Sequence, residues 1–138
     1  MDTVHFSLVT PEKVLFESDV SMVVVPGTEG DIGVLPNHSP LLTTLRPGLV
    51  TIYDGKEVLV KIFVDGGFAE ITPERCTALV TEGTPIENLD KTSLELEIHN
   101  LLENGDDTQT EDERREADRS LEMARIKLMA LVSNQKVS

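Results

Sequence analysis

Over the first 85 residues the apolar positions recur every second residue in short bursts. Val4, Phe6 and Leu8 alternate with His5 and Ser7, and Val20, Met22 and Val24 make a second run. Leu49 to Tyr53, Val58 to Val64, Phe68 to Ile71 and Cys76 to Val80 follow as further short runs rich in β-branched residues. Asp54-Gly55, Asp65-Gly66-Gly67 and Thr72-Pro73 separate them. A period of two places one side of a strand against a core, so these runs predict strands. Asp54-Gly55 between two such runs predicts a hairpin with a type I′ turn, which needs positive φ at both central residues. Many short strands with regular turns predict a β-sandwich or barrel.

The pattern changes after Pro85. No further proline occurs, and Gly105 is the only glycine beyond it. Asp90 is placed to cap a helix, with Leu89 and Leu94 at the positions of a hydrophobic staple. Leu94, Ile98, Leu101 and Leu102 then line one helical face, although Leu96 also permits a short strand there. The run "ENGDD" ends that helix, with Gly105 available for a left-handed cap. Thr110 followed by Glu113 makes a capping box for a second helix, in which Ala117, Leu121, Ala124, Leu128 and Leu131 form a narrow seam. The fold class expected is therefore an all-β N-terminal sandwich followed by an α-helical hairpin. The domains expected are residues 1–86 and residues 87–138, the second one mobile because so small a hairpin buries little by itself.

One segment fits neither pattern. "PGTEGDIGVLPNHSPLLTTLRPG", from Pro26 to Gly48, sets four glycines and four prolines around Ile32, Val34, Leu35, Leu41 and Leu42. Gly30 and Gly33 permit tight bends around Glu29 and Asp31, and Pro36 with Pro40 stiffens the turn carrying His38. On residue chemistry alone the segment is either a corner of the sandwich or a docking loop. Leu41 and Leu42 are expected on the inner, core-facing side.

Charge narrows the partners. The 138 residues carry 12 Lys+Arg against 25 Asp+Glu, a formal net charge of −13, with no Trp and 4% aromatics. So acidic a chain repels nucleic-acid phosphates and anionic lipid headgroups, and it has few rings on which bases could stack. The charge is also uneven. Glu87 to Asp107 holds seven acidic residues and one basic, whereas Glu111 to Ser138 holds six of each. No run is long and apolar enough to span a bilayer, and the N-terminus has no signal-peptide pattern, so a reducing, cytosol-like compartment is expected. Cys76 is the single cysteine and reads as a small core residue.

Catalytic chemistry finds little support. His5, His38 and His99 are scattered and no Cys/His cluster exists, so no metal is expected. Ser39, His38 and Asp31 could be drawn as a triad, but the nucleophile elbow and oxyanion donors are missing. "GTEGDIG" lacks the Lys-Ser/Thr of a phosphate loop, and Pro36 and Pro40 forbid the helix that a dinucleotide fingerprint requires. Two other classes remain on this evidence: a protein-binding adaptor, and more remotely an enzyme with His38 as base.

"VVVPGTEGDIGVLPNHSPLLTTLRPGLV" closely resembles the signature of the epsilon subunit family of F-type ATP synthases. "VDGGFAEITPERCTALV" resembles the strand, double-glycine turn and strand of that family's sandwich, and "NLDKTSLE" stands where its C-terminal hairpin begins. The resemblance covers essentially the whole chain. It implies a non-catalytic central-stalk subunit, without cofactor, that couples proton translocation through the c-ring to ATP synthesis. The implied partners are the gamma subunit and the c-ring, and the implied place is the cytoplasmic face of a bacterial inner membrane, with no direct insertion. Asp31 and His38 would face the ring, with Gly30, Gly33 and Pro36 shaping that loop. The hairpin would rise into the alpha/beta head and block hydrolysis through Arg114, Arg115, Arg119, Arg125 and Lys127. A related ATP-sensing motif is matched only at Asp90 and Arg125. Ser93-Leu94 and Leu121 stand where Arg-Ala and a further arginine are expected, so ATP binding is expected to be weak or absent.

Overall fold

The structure is a computed structural model and describes residues 2–103 and 109–137. The chain divides into two compact units, Met1–Ile86 and Glu87–Ser138. The first contains β1 (Val4–Val9), β2 (Val14–Val20), β3 (Met22–Gly27), β4 (Gly30–Val34), β5 (Leu41–Leu45), β6 (Gly48–Asp54), β7 (Glu57–Val64), β8 (Gly67–Ile71), β9 (Arg75–Leu79) and β10 (Gly83–Pro85). After a 3-10 turn at Ile86–Asn88, the second contains α1 (Lys91–Glu103) and α2 (Glu111–Val137). This is the sandwich-then-hairpin class that the periodicities predict.

The strands follow the order β10-β7-β6-β3-β5-β8-β9-β1-β2, with β4 paired to β3. The link between β3 and β5 is a single pair, Gly27 with Leu45. There the sheet turns a corner, giving one layer of β10, β7, β6, β3 and β4 and another of β5, β8, β9, β1 and β2. Side chains from both layers fill one core. Val23, Val25, Val34, Val50, Ile52 and Val64 come from the first, and Val4, Phe6, Leu8, Ala69, Ile71, Cys76 and Ala78 from the second. The Phe6 and Phe16 rings pack at 6.2 Å between centroids. Burial pushes the Cys76 thiol up to about 12, so it is a core residue without thiolate character.

Four expectations are corrected. Val23 and Val25, not Met22 and Val24, face the core. Ser21 breaks the chain between β2 and β3, and the uniformly apolar run that follows has no phase of its own to reveal which side points in. The Pro26–Gly48 segment is no simple loop, since β4 and β5 lie within it. Leu41 and Leu42 are 40% and 68% exposed. Successive residues on a strand point to opposite faces, so both could never share the inner one; Leu45 enters the core instead. In the β6–β7 hairpin Asp54 pairs with Glu57, which leaves Gly55 and Lys56 as the turn. Only Gly55 has positive φ (64°), at the first central position, as a type II′ turn requires.

The double-glycine turn has a steric reason. Gly67 adopts a φ of 127°, and a Cβ there would lie 2.1 Å from the Leu79 carbonyl oxygen. Only glycine lets β8 pass so close to β9.

The helical unit follows its caps. The Ser93 backbone N–H donates to Asp90 Oδ2 at 3.0 Å and the Ser93 hydroxyl to the same oxygen at 2.7 Å. These bonds hold the Asp90 carboxyl below the usual range, the hydroxyl bond contributing most. Glu113 N–H donates to Thr110 Oγ1 at 3.1 Å, closing the start of α2. The helices pack on each other, and Leu94, Ala124 and Leu131 are the buried apolar residues here among those described. Leu102, placed on the buried face from the spacing, is 56% exposed. At about 100° per residue it lies roughly 80° from Leu94 around the helix axis, at the edge of the stripe, whereas Leu101 stays about 20° from it. The cap expected at Gly105 lies outside the described residues.

Candidate docking surfaces

Antiparallel pairing sorts the sandwich turns into two ends. The β1–β2, β3–β4, β5–β6 and β7–β8 turns lie at one end; β4–β5, β6–β7 and β8–β9 lie at the other. Asp31 and Gly30 belong to the first end. Pro36 and His38 belong to the second, and Gly33 lies along β4 between them. At about 3.3 Å per residue, the five residues of β4 span roughly 17 Å. The loop residues grouped by sequence are therefore split between two opposite surfaces, and the Ser39, His38 and Asp31 triad cannot assemble.

The first end is acidic and tightly held. Thr28 and Glu29 form the β3–β4 turn. Arg46 Nη2 donates to Asp31 Oδ1 at 2.6 Å, while Arg46 Nη1 donates to the Gly27 carbonyl at 2.5 Å. Thr28 N–H donates to the Thr44 carbonyl at 3.1 Å, and the two threonine hydroxyls lie 3.0 Å apart. Glu12, Glu29, Asp31, Asp65 and Glu82 stand at this end against Lys13 and Arg46. The Asp65 carboxylate accepts from the Glu82 N–H at 3.0 Å, joining two neighbouring turns.

At the second end Asn37 holds a left-handed φ of 68°, and its N–H donates to the Pro73 carbonyl at 2.8 Å. His38 donates its own N–H to the Leu35 carbonyl, and its Nδ1–H to the Ser39 carbonyl at 2.7 Å. With its Nδ1 proton engaged by backbone, His38 is a turn-former held in place.

Bordering the first end, the outer face of β5, β8, β9, β1 and β2 carries a largely apolar row. Thr44, Phe68, Leu79, Val9 and Val14 lie side by side across five strands. Leu42 stands in the next row, opposite Glu70. Phe68 is 46% exposed and Val14 57%. Val9 and Leu79 between them are half-buried, so the row is an apolar strip with exposed ends, the kind of surface a partner can cover. The sequence hid it, because the partners come from five separate strands.

Beside the row lies a polar cluster that sequence reasoning also missed. His5 Nδ1 is 2.8 Å from Asp19 Oδ1, and His5 Nε2 is 3.1 Å from Glu17 Oε2. The buried Ser7 hydroxyl donates to Glu17 at 2.8 Å. The hydrogen bond to Asp19, then that to Glu17, raises the His5 pKa. The Ser7 hydroxyl, then His5, lowers that of Glu17. Two acids two residues apart on β2, facing a histidine on β1, were the available signal, readable only once the hairpin register is known.

On α2, Arg114, Arg115, Arg119 and Arg125 are exposed and Lys127 is half-buried. Arg115 Nη2 lies 3.6 Å from Asp112 Oδ1. Arg114 and Arg125, eleven residues apart, fall almost on one line, whereas Lys127 lies on another face. The five do not form a single stripe. Asp90 and Arg125 are not linked, and the Asp90 carboxylate is engaged in capping α1. Among the described residues no His, Cys, Asp and Glu group is arranged to hold a metal ion, and no helix is long and apolar enough to cross a membrane.

The family model for the ATP synthase delta/epsilon chain β-sandwich domain matches residues 3–85. The ATP synthase epsilon chain of Rhodospirillum rubrum is 41% identical over 129 residues, covering 94% of this chain and 96% of its own. That of Rhodospirillum centenum is 42% identical over 139 residues, covering 97% and 95%. Among solved structures, the OSCP/F1/c-ring part of the Euglena gracilis mitochondrial ATP synthase contains a chain of the same fold. It matches with a TM-score of 0.80 at 21% identity, covering 94% of this chain and 81% of that one. A chain in the central stalk and c-ring of the Tetrahymena thermophila enzyme matches with a TM-score of 0.62 at 19% identity, covering 94% and 97%.

Proposed function

Because the chain belongs to the delta/epsilon family of ATP synthases, a central-stalk subunit and not a catalytic one, we propose a two-sided rotor contact for it. The sandwich, residues 1–86, packs on the gamma subunit through the apolar row and Leu42. Its acidic end rests on the polar loops of the c-ring. Turning with both, it couples proton translocation to ATP synthesis at the cytoplasmic face of a bacterial inner membrane. The observation that carries this reading is the exposed Leu42 and Phe68 on a sheet face whose inner side is already fully packed. An acidic end opposite basic ring loops would favour fast, correctly registered docking more than tight binding. His38, at the other end, belongs to neither contact.

The hairpin, residues 87–138, is the mobile and regulatory part in this reading. It extends toward the alpha/beta head and restrains ATP hydrolysis through Arg114, Arg115, Arg119 and Arg125. These guanidiniums are exposed and can pair bidentately with carboxylates. Lys127, on another face and already engaged, contributes least. Asp90 serves in this reading as the cap of α1, its Oδ2 accepting both Ser93 bonds, and not as an ATP ligand.

Add-back to ATP synthase depleted of this subunit tests both halves. Full-length chain should restore coupled synthesis and suppress hydrolysis, while residues 1–86 should restore coupling alone. Equal behaviour of the two would remove the regulatory half, and failure of both to bind would remove the function.

A further inference from the structure

Arg46 is the one basic residue of the acidic end that reaches two separate points of the β3–β4 turn. One prong of its guanidinium takes Asp31 at 2.6 Å and the other takes the Gly27 carbonyl. Its own backbone N–H donates to the Pro26 carbonyl at 2.8 Å. The turn is thus gripped from main chain and side chain together. Glycine is required where the parts meet: a Cβ on Gly27 would lie 2.7 Å from the Gly30 carbonyl oxygen. The Arg46 and Asp31 side chains are 42% and 61% exposed. So exposed a pair adds little to global stability. What it supplies is geometry, because a planar fork fixes both acceptors at once where a lysine would fix one.

We propose that Arg46 is the positioning residue of this surface: it consumes Asp31 and locks the Thr28–Glu29 turn, leaving Glu29 as the carboxylate that a basic partner loop reads. The proposal rests on the reading of this end as ring-facing, and it reverses the assignment of Asp31 as the acidic tip. Among the described residues no cation pairs with Glu29. Its position at the apex of a two-residue turn gives it the first approach to a partner.

Two measurements on full-length protein test this. Amide exchange on the free chain should be about tenfold faster at Thr28 and Gly30 in Arg46→Gln, with core amides such as that of Ile52 unchanged. Asp31→Asn should match it, and the double variant should add nothing further. Docking to rotor membranes stripped of this subunit is then followed against salt. Glu29→Gln should slow association about two- to fivefold at low salt and flatten the salt dependence. Glu57→Gln, which removes the same charge at the other end, should do neither. The Asp31→Asn/Arg46→Gln double variant keeps the net charge and should keep the salt slope while dissociating several-fold faster. Unchanged exchange in Arg46→Gln, or a double variant as salt-insensitive as Glu29→Gln, overturns the proposal. If wild-type chain does not bind the rotor, the functional reading and recognition by Glu29 both fall. The exchange data still decide separately whether Arg46 holds the turn.

Discussion

The two units of this chain solve the problem of burial in opposite ways. The sandwich closes a core from two layers, in which Val4, Phe6, Leu8, Val23, Val25, Val50, Ile52 and Val64 are completely buried. The helical unit buries Leu94, Ala124 and Leu131, and its half-buried seam of Ala117, Leu121 and Leu128 rests on one partner helix. At about 1.5 Å per residue, α2 runs roughly 40 Å and α1 about 20 Å, so α1 can cover only half of its neighbour. The sandwich has the means to hold one shape whatever it touches. The hairpin has caps, a thin seam and many exposed charges, which supports the proposal that its conformation answers to its surroundings. A rigid transmission part joined to a responsive one is what a coupling subunit with a regulatory arm would need.

The contrast can be broken most strongly from the sandwich side. Phe6→Ala, at a fully buried ring, is expected to destabilise the sandwich by about 3–5 kcal/mol in urea unfolding. Leu131→Ala in the hairpin should cost about 2 kcal/mol, the low end for such a truncation, and act locally. Amide exchange in α1 and α2 would rise while the unfolding midpoint of the sandwich stays in place. A common loss in both units would show that they fold as one. Smaller still, Thr110→Ala removes the hydroxyl that accepts the Glu113 N–H, with an expected cost of about 1 kcal/mol to α2. Faster exchange confined to the first turn of α2 checks it.

The smallest effect concerns pH and only the sandwich. His5 gains two carboxylate partners on folding, and its pKa is raised from 6.5. Its contribution is complete below about pH 6.5 and fades as pH rises through the folded value. Glu17 has the opposite sign: its lowered pKa gives a contribution present above its ordinary value of 4.5 and lost as pH falls through the folded one. Thermal unfolding between pH 5 and pH 8 should therefore slope gently downward in the wild type, and the slope should flatten in His5→Gln. An unchanged slope would show that the bracket of Asp19 and Glu17 does not persist in solution.

The class of each half, the break between β and α patterns, the α1 and α2 caps and the double-glycine turn were all legible in the order of residues. Each is a local property: a period of two or 3.6, a hydroxyl or carboxylate at a helix start, a backbone angle only glycine adopts. It also carried the family signature in Pro26–Gly48. Phase and assembly were beyond it. Val23 rather than Val24 faces the core because pairing with Ile52 of β6 sets the register, and nothing in a run of three valines encodes that choice. The apolar row of Phe68, Leu79, Val9 and Val14, the His5 bracket, and the grip of Arg46 on Asp31 join residues from different strands, the last pair fifteen positions apart. The separation of Asp31 from His38 has the same origin, since β4 was unseen and the two looked like members of one loop. Hydrogen-bonded register between distant strands decided these features, and register is set by the closed core as a whole.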